Sequence, residues 1–308
     1  MSIKRDPSAY SRVKSIRYFS GPFLKRLITG NSVPTLSGYK ITNRCNLKCV
    51  HCPYWKRNGD ELDFGGVKKT LAALNGMGVR ILIIEGGEPL LWRDGKKTIA
   101  HVIEEARKLF PSVCITTNGT LPFRELDLDR VWVSLDGTQK VHDSVRGQGV
   151  FSMVWENLEK EGRRNAYISF TISQLNREFV SDLITTLKGR VAGVTAQFYY
   201  PYSGLPDPLF VSPLERVPIL DQLIQLKRDG YPVANSFSSL NDMKKTKWTC
   251  YDGLLANAEP DGRISRGCYL NNRGPSKCER CGFSAHNEIS LAFRGNIESI
   301  VTGLKIFF

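Results

Sequence analysis

The sequence predicts an α/β protein: an open, partial (β/α)6 barrel followed by a small C-terminal cysteine-rich extension of β-hairpin and helix. From Gly38 to Phe198, short β-rich runs alternate with longer stretches of helical periodicity, the pattern of a parallel sheet wound by crossover helices. The runs number six, too few for a closed eight-stranded barrel and suited to an open one. Glycine and short polar residues follow four of these runs directly, as they do where ligands bind at the carboxyl edge of a parallel sheet.

Residues 1–37 read as a basic N-terminal extension. Lys4, Arg5, Arg12, Lys14, Arg17, Lys25 and Arg26 face Asp6 alone, and Val13, Ile16, Phe19, Phe23, Leu24, Leu27 and Ile28 recur near helical spacing around Gly21-Pro22. Such a segment packs on the barrel with its charges solvated, or lies on an anionic lipid surface. Residues 38–230 form the barrel, with strands expected over 39–42, 80–84, 113–117, 131–135, 168–172 and 195–198. Helices are expected over 66–77, 97–110, 153–161, 178–187 and 214–228. Residues 231–308 form the extension.

Composition narrows the class. An apolar content of 41% with 24% charged residues is that of a globular chain, and no apolar run nears the roughly 20 residues of a membrane span. Eight cysteines without a secretory pattern at the start point to a reducing, cytoplasmic setting, where thiols serve metals or catalysis. The net charge of +13 comes with no visible nucleic-acid module, so a nucleic-acid partner is not expected; peripheral contact with the inner membrane face fits the basic start.

The first strand runs into Asn43-Arg44-Cys45-Asn46-Leu47-Lys48-Cys49-Val50-His51-Cys52-Pro53-Tyr54. Three thiolates on one short loop can hold three corners of a cubic iron–sulfur cluster and leave the fourth iron open to a small molecule. The residues alone also allow a zinc site or three unrelated buried thiols. A closed zinc site needs a fourth ligand, and His51 lies between two of the cysteines, where a tight loop points it elsewhere. The second strand runs into Glu85-Gly86-Gly87-Glu88-Pro89, the third into Thr116-Thr117-Asn118-Gly119 and the fourth into Ser134-Leu135-Asp136-Gly137, followed by Asp143-Ser144-Val145-Arg146-Gly147. Taken singly, each reads equally as a turn or a helix cap.

Together, in this order, these motifs resemble the radical S-adenosylmethionine (radical SAM) superfamily over residues 38–198. The resemblance implies a catalytic [4Fe–4S] cluster on Cys45, Cys49 and Cys52, whose free iron takes the amino and carboxylate groups of S-adenosylmethionine. It implies that His51 lies near the adenine and that Gly86, Gly87, Glu88 and Pro89 meet the methionine ammonium. Asn118, Ser134 and Asp136 would meet ribose hydroxyls and carboxylate, with Arg146 towards the carboxylate. Reduction would come from a one-electron donor such as a flavodoxin or ferredoxin, favoured by the positive charge of Arg44 and Lys48.

Cys250, Cys268, Cys278 and Cys281 follow the barrel, with Pro260-Asp261-Gly262 marking a hairpin between the first two. This resembles the twitch or truncated SPASM appendage and implies a second [4Fe–4S] cluster; four thiolates would equally hold zinc. A weaker similarity to adenosylhopene synthase and its relatives lies in Cys268-Tyr269-Leu270 and Lys277-Cys278-Glu279-Arg280-Cys281. That similarity, the basic start and the apolar tail 300–308 imply a membrane-lipid substrate; the tail reads equally as an element docked on the core. A peptide or tRNA substrate, another small molecule, or a non-catalytic zinc-binding interaction protein are the alternatives. Tyr199, Tyr200 and Tyr202 would line the substrate pocket or relay a hydrogen atom, or simply pack, and Cys114 reads as a buried apolar residue.

Overall fold

A computed structural model describes residues 33–161, 165–271, 273 and 277–308, so the helices expected between residues 9 and 30 lie outside the described residues. Six strands, β1 (Leu36–Lys40), β2 (Ile81–Glu85), β3 (Ser112–Thr117), β4 (Arg130–Ser134), β5 (Ala166–Ile172) and β6 (Gly193–Phe198), pair in parallel in chain order. Neighbour-to-neighbour winding without a reversal is barrel winding rather than that of a doubly wound sheet. The crossovers carry α1 (Phe64–Gly76), α2 (Ile99–Leu109), α3 (Gln139–Arg146), α4 (Val150–Glu161) and α5 (Val180–Thr186), with α6 (Pro213–Arg228) after β6.

Period-two alternation divides the strands into two faces. The outer set, including Leu82, Ile84, Ile115, Val133 and Phe170, packs on Leu71, Leu74, Val102, Ile103 and Leu183 of the helices. The alternate set, with Gly38, Lys40, Glu85, Thr116, Ser169 and Gln197, faces the lumen and is far more polar.

The cysteine-rich extension shares the barrel's sheet. β7 (Leu255–Ala258) pairs in parallel with the free edge of β1, and β8 (Ile264–Arg266) pairs antiparallel with β7, giving the order β8-β7-β1-β2-β3-β4-β5-β6. An unpaired edge at β1 is thereby covered. After α7 (Phe237–Asp242), the helices α8 (Ser284–Phe293) and α9 (Ile297–Phe307) complete the chain. The apolar tail is the end of α9, and it docks: Ile306 and Phe307 pack on Cys114, Trp132 and Tyr167, while Ser112 Oγ donates to Phe307 O at 3.0 Å. Cys114 is fully buried.

A cavity of about 670 Å³ remains in the lumen. One end is apolar, lined by Val33, Leu36, Ile81, Leu254, Phe293 and Leu304; the other, at the carboxyl ends of the strands, meets Glu85, Gln197, Tyr202, Tyr269 and His286. Among the described residues no helix is long and apolar enough to cross a membrane.

Candidate active site

The cysteine loop leaves β1 and is bedded on the end of β2. Ile41 donates to Glu85 O at 2.9 Å, Gly87 N to Thr42 O at 2.8 Å and Glu88 N to Arg44 O at 2.8 Å. A Cβ on Gly87 would stand 2.2 Å from Arg44 O, so only glycine lets the two backbones lie this close. The two N–H groups of this turn are therefore spent on the loop. The carbonyls of Gly86 and Gly87 accept no hydrogen bond among the described residues and are the groups free to meet an ammonium.

Glu88 ties the second strand end to the third. Its buried carboxylate accepts Thr117 Oγ1 at 2.8 Å and Asn118 N at 2.7 Å from the end of β3, and Leu90 N at 3.1 Å within the turn that Pro89 opens. Burial pushes this carboxyl up against the pull of those donors. Asn118 in turn reaches the cysteine loop, donating Nδ2 to Asn46 Oδ1 at 2.8 Å and towards Cys45 Sγ at 3.9 Å. Gly119 makes the exit at φ +77°, with Val133 Cγ1 only 2.6 Å from where a Cβ would be.

At the fourth strand end Asp136 is fully buried, accepting Arg146 Nε at 2.7 Å and Thr171 N at 3.2 Å. Burial alone would raise its carboxyl, but Arg146, with His51 and His142, holds it below its ordinary range. Arg146 Nη1 lies 3.9 Å from Cys49 Sγ, so one guanidinium spans a buried carboxylate and a cysteine of the loop. Its helix, α3, is missing from the sequence reading, because eight mostly polar residues between glycines carry little periodicity. His51 faces the Asp136–Arg146 pair, and Ser134 closes β4 opposite Ser169. The structure thus gathers Cys45, Cys49, Cys52, His51, Gly86, Gly87, Glu88, Pro89, Asn118, Ser134, Asp136 and Arg146 along the ends of four adjacent strands.

The donor set fits a thiolate-bound cluster. Burial pushes the Cys49 thiol up to about 11 against the opposing charge of Arg146, and raises Cys45 too, so a cationic metal beside them would favour their thiolate forms. Leu47 N at 3.5 Å and Asn118 Nδ2 already point at Cys45 Sγ, where hydrogen-bond donors stabilise a coordinated thiolate. Among the described residues no three His, Cys, Asp or Glu side chains converge on one ion, so closing either cysteine group around a single metal ion would require the thiols to move together.

Cys250, Cys268, Cys278 and Cys281 lie within electrostatic reach of one another beyond β6. Leu270 N points at Cys268 Sγ from 3.4 Å, the same i to i+2 contact that Leu47 makes with Cys45. Arg216 of α6, 2% exposed, has no carboxylate partner among the described residues and donates to the carbonyls of Arg280 and Cys281. Burial pulls Arg216 down to about 10, with Cys281 the opposing influence. Sequence reasoning missed Arg216, and missed that Lys40 and Glu85 form a part-buried lumen pair at 3.1 Å. For the latter, the period-two register of β1 and β2 was the available signal.

Residues 39–188 match the model of the radical SAM superfamily. Fe-coproporphyrin III synthase of Methanosarcina barkeri is 28% identical over 180 residues, 54% of this chain and 44% of that protein. Pre-heme d1 synthase of Dinoroseobacter shibae is 31% identical over 176 residues, 53% of this chain and 42% of its own length. The chain thus spans less than half the length of these curated relatives. SuiB of Streptococcus suis, solved bound to S-adenosylmethionine, superposes with a TM-score of 0.65 at 13% identity over 98% of this chain and 75% of that one, a likeness of fold.

Proposed function

With a radical SAM domain over residues 39–188 as the premise, we propose that this chain is an enzyme that cleaves S-adenosylmethionine reductively and modifies an organic substrate held in the barrel lumen. When bound, the [4Fe–4S] cluster and S-adenosylmethionine supply a 5′-deoxyadenosyl radical. Cys45, Cys49 and Cys52 would hold that cluster. Arg146, fixed by Asp136, sets the charge beside Cys49, and the Gly86 and Gly87 carbonyls orient the methionine ammonium. His51, Asn118 and Ser134 bound the remaining strand ends where adenine and ribose would lie. The observation that carries this reading is the loop itself: three cysteines bedded on the glycine turn, with N–H and guanidinium donors aimed at two of the sulfurs.

The apolar far end of the lumen supports a substrate with a hydrocarbon part, and a membrane lipid is the specific reading. A peripheral position at the inner membrane face would suit it. At the second cysteine group we propose a further [4Fe–4S] cluster on Cys250, Cys268, Cys278 and Cys281; the buried charge of Arg216 beside Cys281, without a carboxylate partner among the described residues, supports an anionic thiolate centre there. Lys48 and Lys56 beside Trp55, whose indole donates to Cys49 O at 3.3 Å, offer positive charge to an acidic one-electron donor of the flavodoxin or ferredoxin kind.

The test is anaerobic reconstitution, reduction and quantitation of 5′-deoxyadenosine from S-adenosylmethionine. Production by the wild type and its loss in Cys49→Ala is expected; no product from the wild type, or equal product from the variant, refutes the reading. Mass spectrometry of lipid extracts from cells with and without the protein then tests the lipid, a shifted peptide or nucleoside species refuting it.

A further inference from the structure

Three tyrosines stand where the lumen cavity meets the cysteine loop. Tyr54 comes two positions after Cys52, Tyr202 lies just beyond β6 and Tyr269 follows Cys268. The Tyr54 ring meets Tyr202 edge-on at 5.8 Å and Tyr269 at 6.4 Å between centroids. Tyr202 and Tyr269 line the cavity, while Tyr54 is 6% exposed behind them. The Tyr54 hydroxyl interacts with the other two phenols yet makes no hydrogen bond of good geometry among the described residues.

Neighbouring tyrosines are built differently. Tyr199 donates its hydroxyl to Asp207 Oδ2 at 2.9 Å, and Tyr200 accepts Lys277 N at 2.9 Å, so both hydroxyls anchor backbone or loop. A buried hydroxyl that anchors nothing costs stability that phenylalanine would avoid. Above the group, Lys40 Nζ sits 4.1 Å from the Tyr54 centroid and 4.9 Å from that of Tyr269, and Arg273 lies 4.2 Å from Tyr269. Lys40 is 3% exposed and pairs with Glu85 at 3.1 Å, which keeps an ammonium among these rings.

We propose that Tyr202 and Tyr269, whose rings pack on either side of Tyr54, donate a hydrogen atom to a carbon radical at the mouth of the cavity, and that Lys40 restores the proton. The inference rests on the radical reading above. In the step, a phenol O–H bond breaks homolytically and a C–H bond forms on the carbon radical, leaving a tyrosyl oxygen radical. One electron from the low-potential one-electron donor that serves the cluster reduces it to phenolate. The phenolate takes a proton from the Lys40 ammonium, which is reprotonated from solvent.

The experiment uses the holoenzyme, reconstituted without oxygen or thiols in D₂O and supplied with S-adenosylmethionine and titanium(III) citrate but no substrate. The 5′-deoxyadenosyl radical is then the carbon radical in the mouth. Phenol hydrogens exchange with D₂O and carbon-bound protein hydrogens do not, so the mass of the 5′-deoxyadenosine reports the donor. Singly deuterated product is expected from the wild type, with the deuterated fraction falling at least about threefold in Y202F or Y269F and to background in the double variant. The fraction is read per molecule of product, so a slower variant still answers. A tyrosyl signal in freeze-quenched wild type, absent from the double variant, is the second readout. Unlabelled product from the wild type, or label that survives in the double variant, overturns the relay. No 5′-deoxyadenosine from the wild type removes the radical reading, and the relay with it.

Discussion

Cys45, Cys49 and Cys52 come from one loop clamped by the ends of four strands, while Cys250, Cys268, Cys278 and Cys281 come from segments strung between short turns, two of them exposed. At the first group the ties next to the cysteines run to the barrel: Gly87 and Glu88 through backbone, Asn118 and Arg146 through side chains. At the second, α6 reaches in with Arg216 and β6 with Phe198 N to Gly282 O at 3.0 Å. Both groups share the N–H to sulfur contact from the residue two positions on. The difference teaches that the first loop is shaped by the barrel alone, whereas the second has fewer such ties and would take more of its shape from the metal proposed there.

The largest expected effect separates the two groups by function. Cys49→Ala should lower S-adenosylmethionine cleavage by at least about 100-fold, and Cys281→Ala by less than about tenfold, in the same anaerobic assay. Equal losses would mean that the groups act as one unit. Metal removal should reverse the order in limited proteolysis, opening residues 245–283 to cleavage before residues 41–60.

Stability gives the next contrast. Arg146→Ala leaves Asp136 buried without its cation and should cost about 3–5 kcal/mol. Arg216→Ala removes donors to carbonyls with no carboxylate left behind, about 1–3 kcal/mol, so urea unfolding should rank the two in that order. A buried histidine lies by each group, His142 accepting Asp136 N and His286 against Phe283. Burial lowers both to about 4 from 6.5. The unfolded chain therefore binds more protons between those values, and stability should fall as pH drops from 6.5 to 4, by roughly 3 kcal/mol for each histidine. Replacing either with Gln should flatten that fall by about half.

The last of these effects concerns the bed of the first loop. Gly87→Ala sets a methyl against Arg44 O and should cost about 1–3 kcal/mol, with lower iron incorporation. Gly76→Ala, in α1, where nothing lies within 4 Å of the added carbon and the backbone is helical, serves as the control, with iron content unchanged.

The motifs at the strand ends were legible because each is a short run whose neighbours in sequence are its neighbours in space. The lumen was not. β7 lies beside β1 although more than 200 residues separate them, and Arg216 reaches Cys281 across 65 positions. The tail was ambiguous for the same reason: its apolar residues bury against Trp132 and Tyr167, partners that no local pattern names. β1 also starts earlier than expected, since Leu36 gains partners on both sides, Ile81 of β2 and Leu255 of β7, and the second is invisible from local periodicity.

Electron paramagnetic resonance of the reduced, anaerobically reconstituted protein, with and without S-adenosylmethionine, tests the central claim most directly. An iron on the Cys45–Cys49–Cys52 loop that lacks a protein ligand predicts a spectrum that changes when S-adenosylmethionine is added, and does so equally in Cys281→Ala. A spectrum that S-adenosylmethionine leaves untouched, or one that responds only when the four late cysteines are intact, would contradict it.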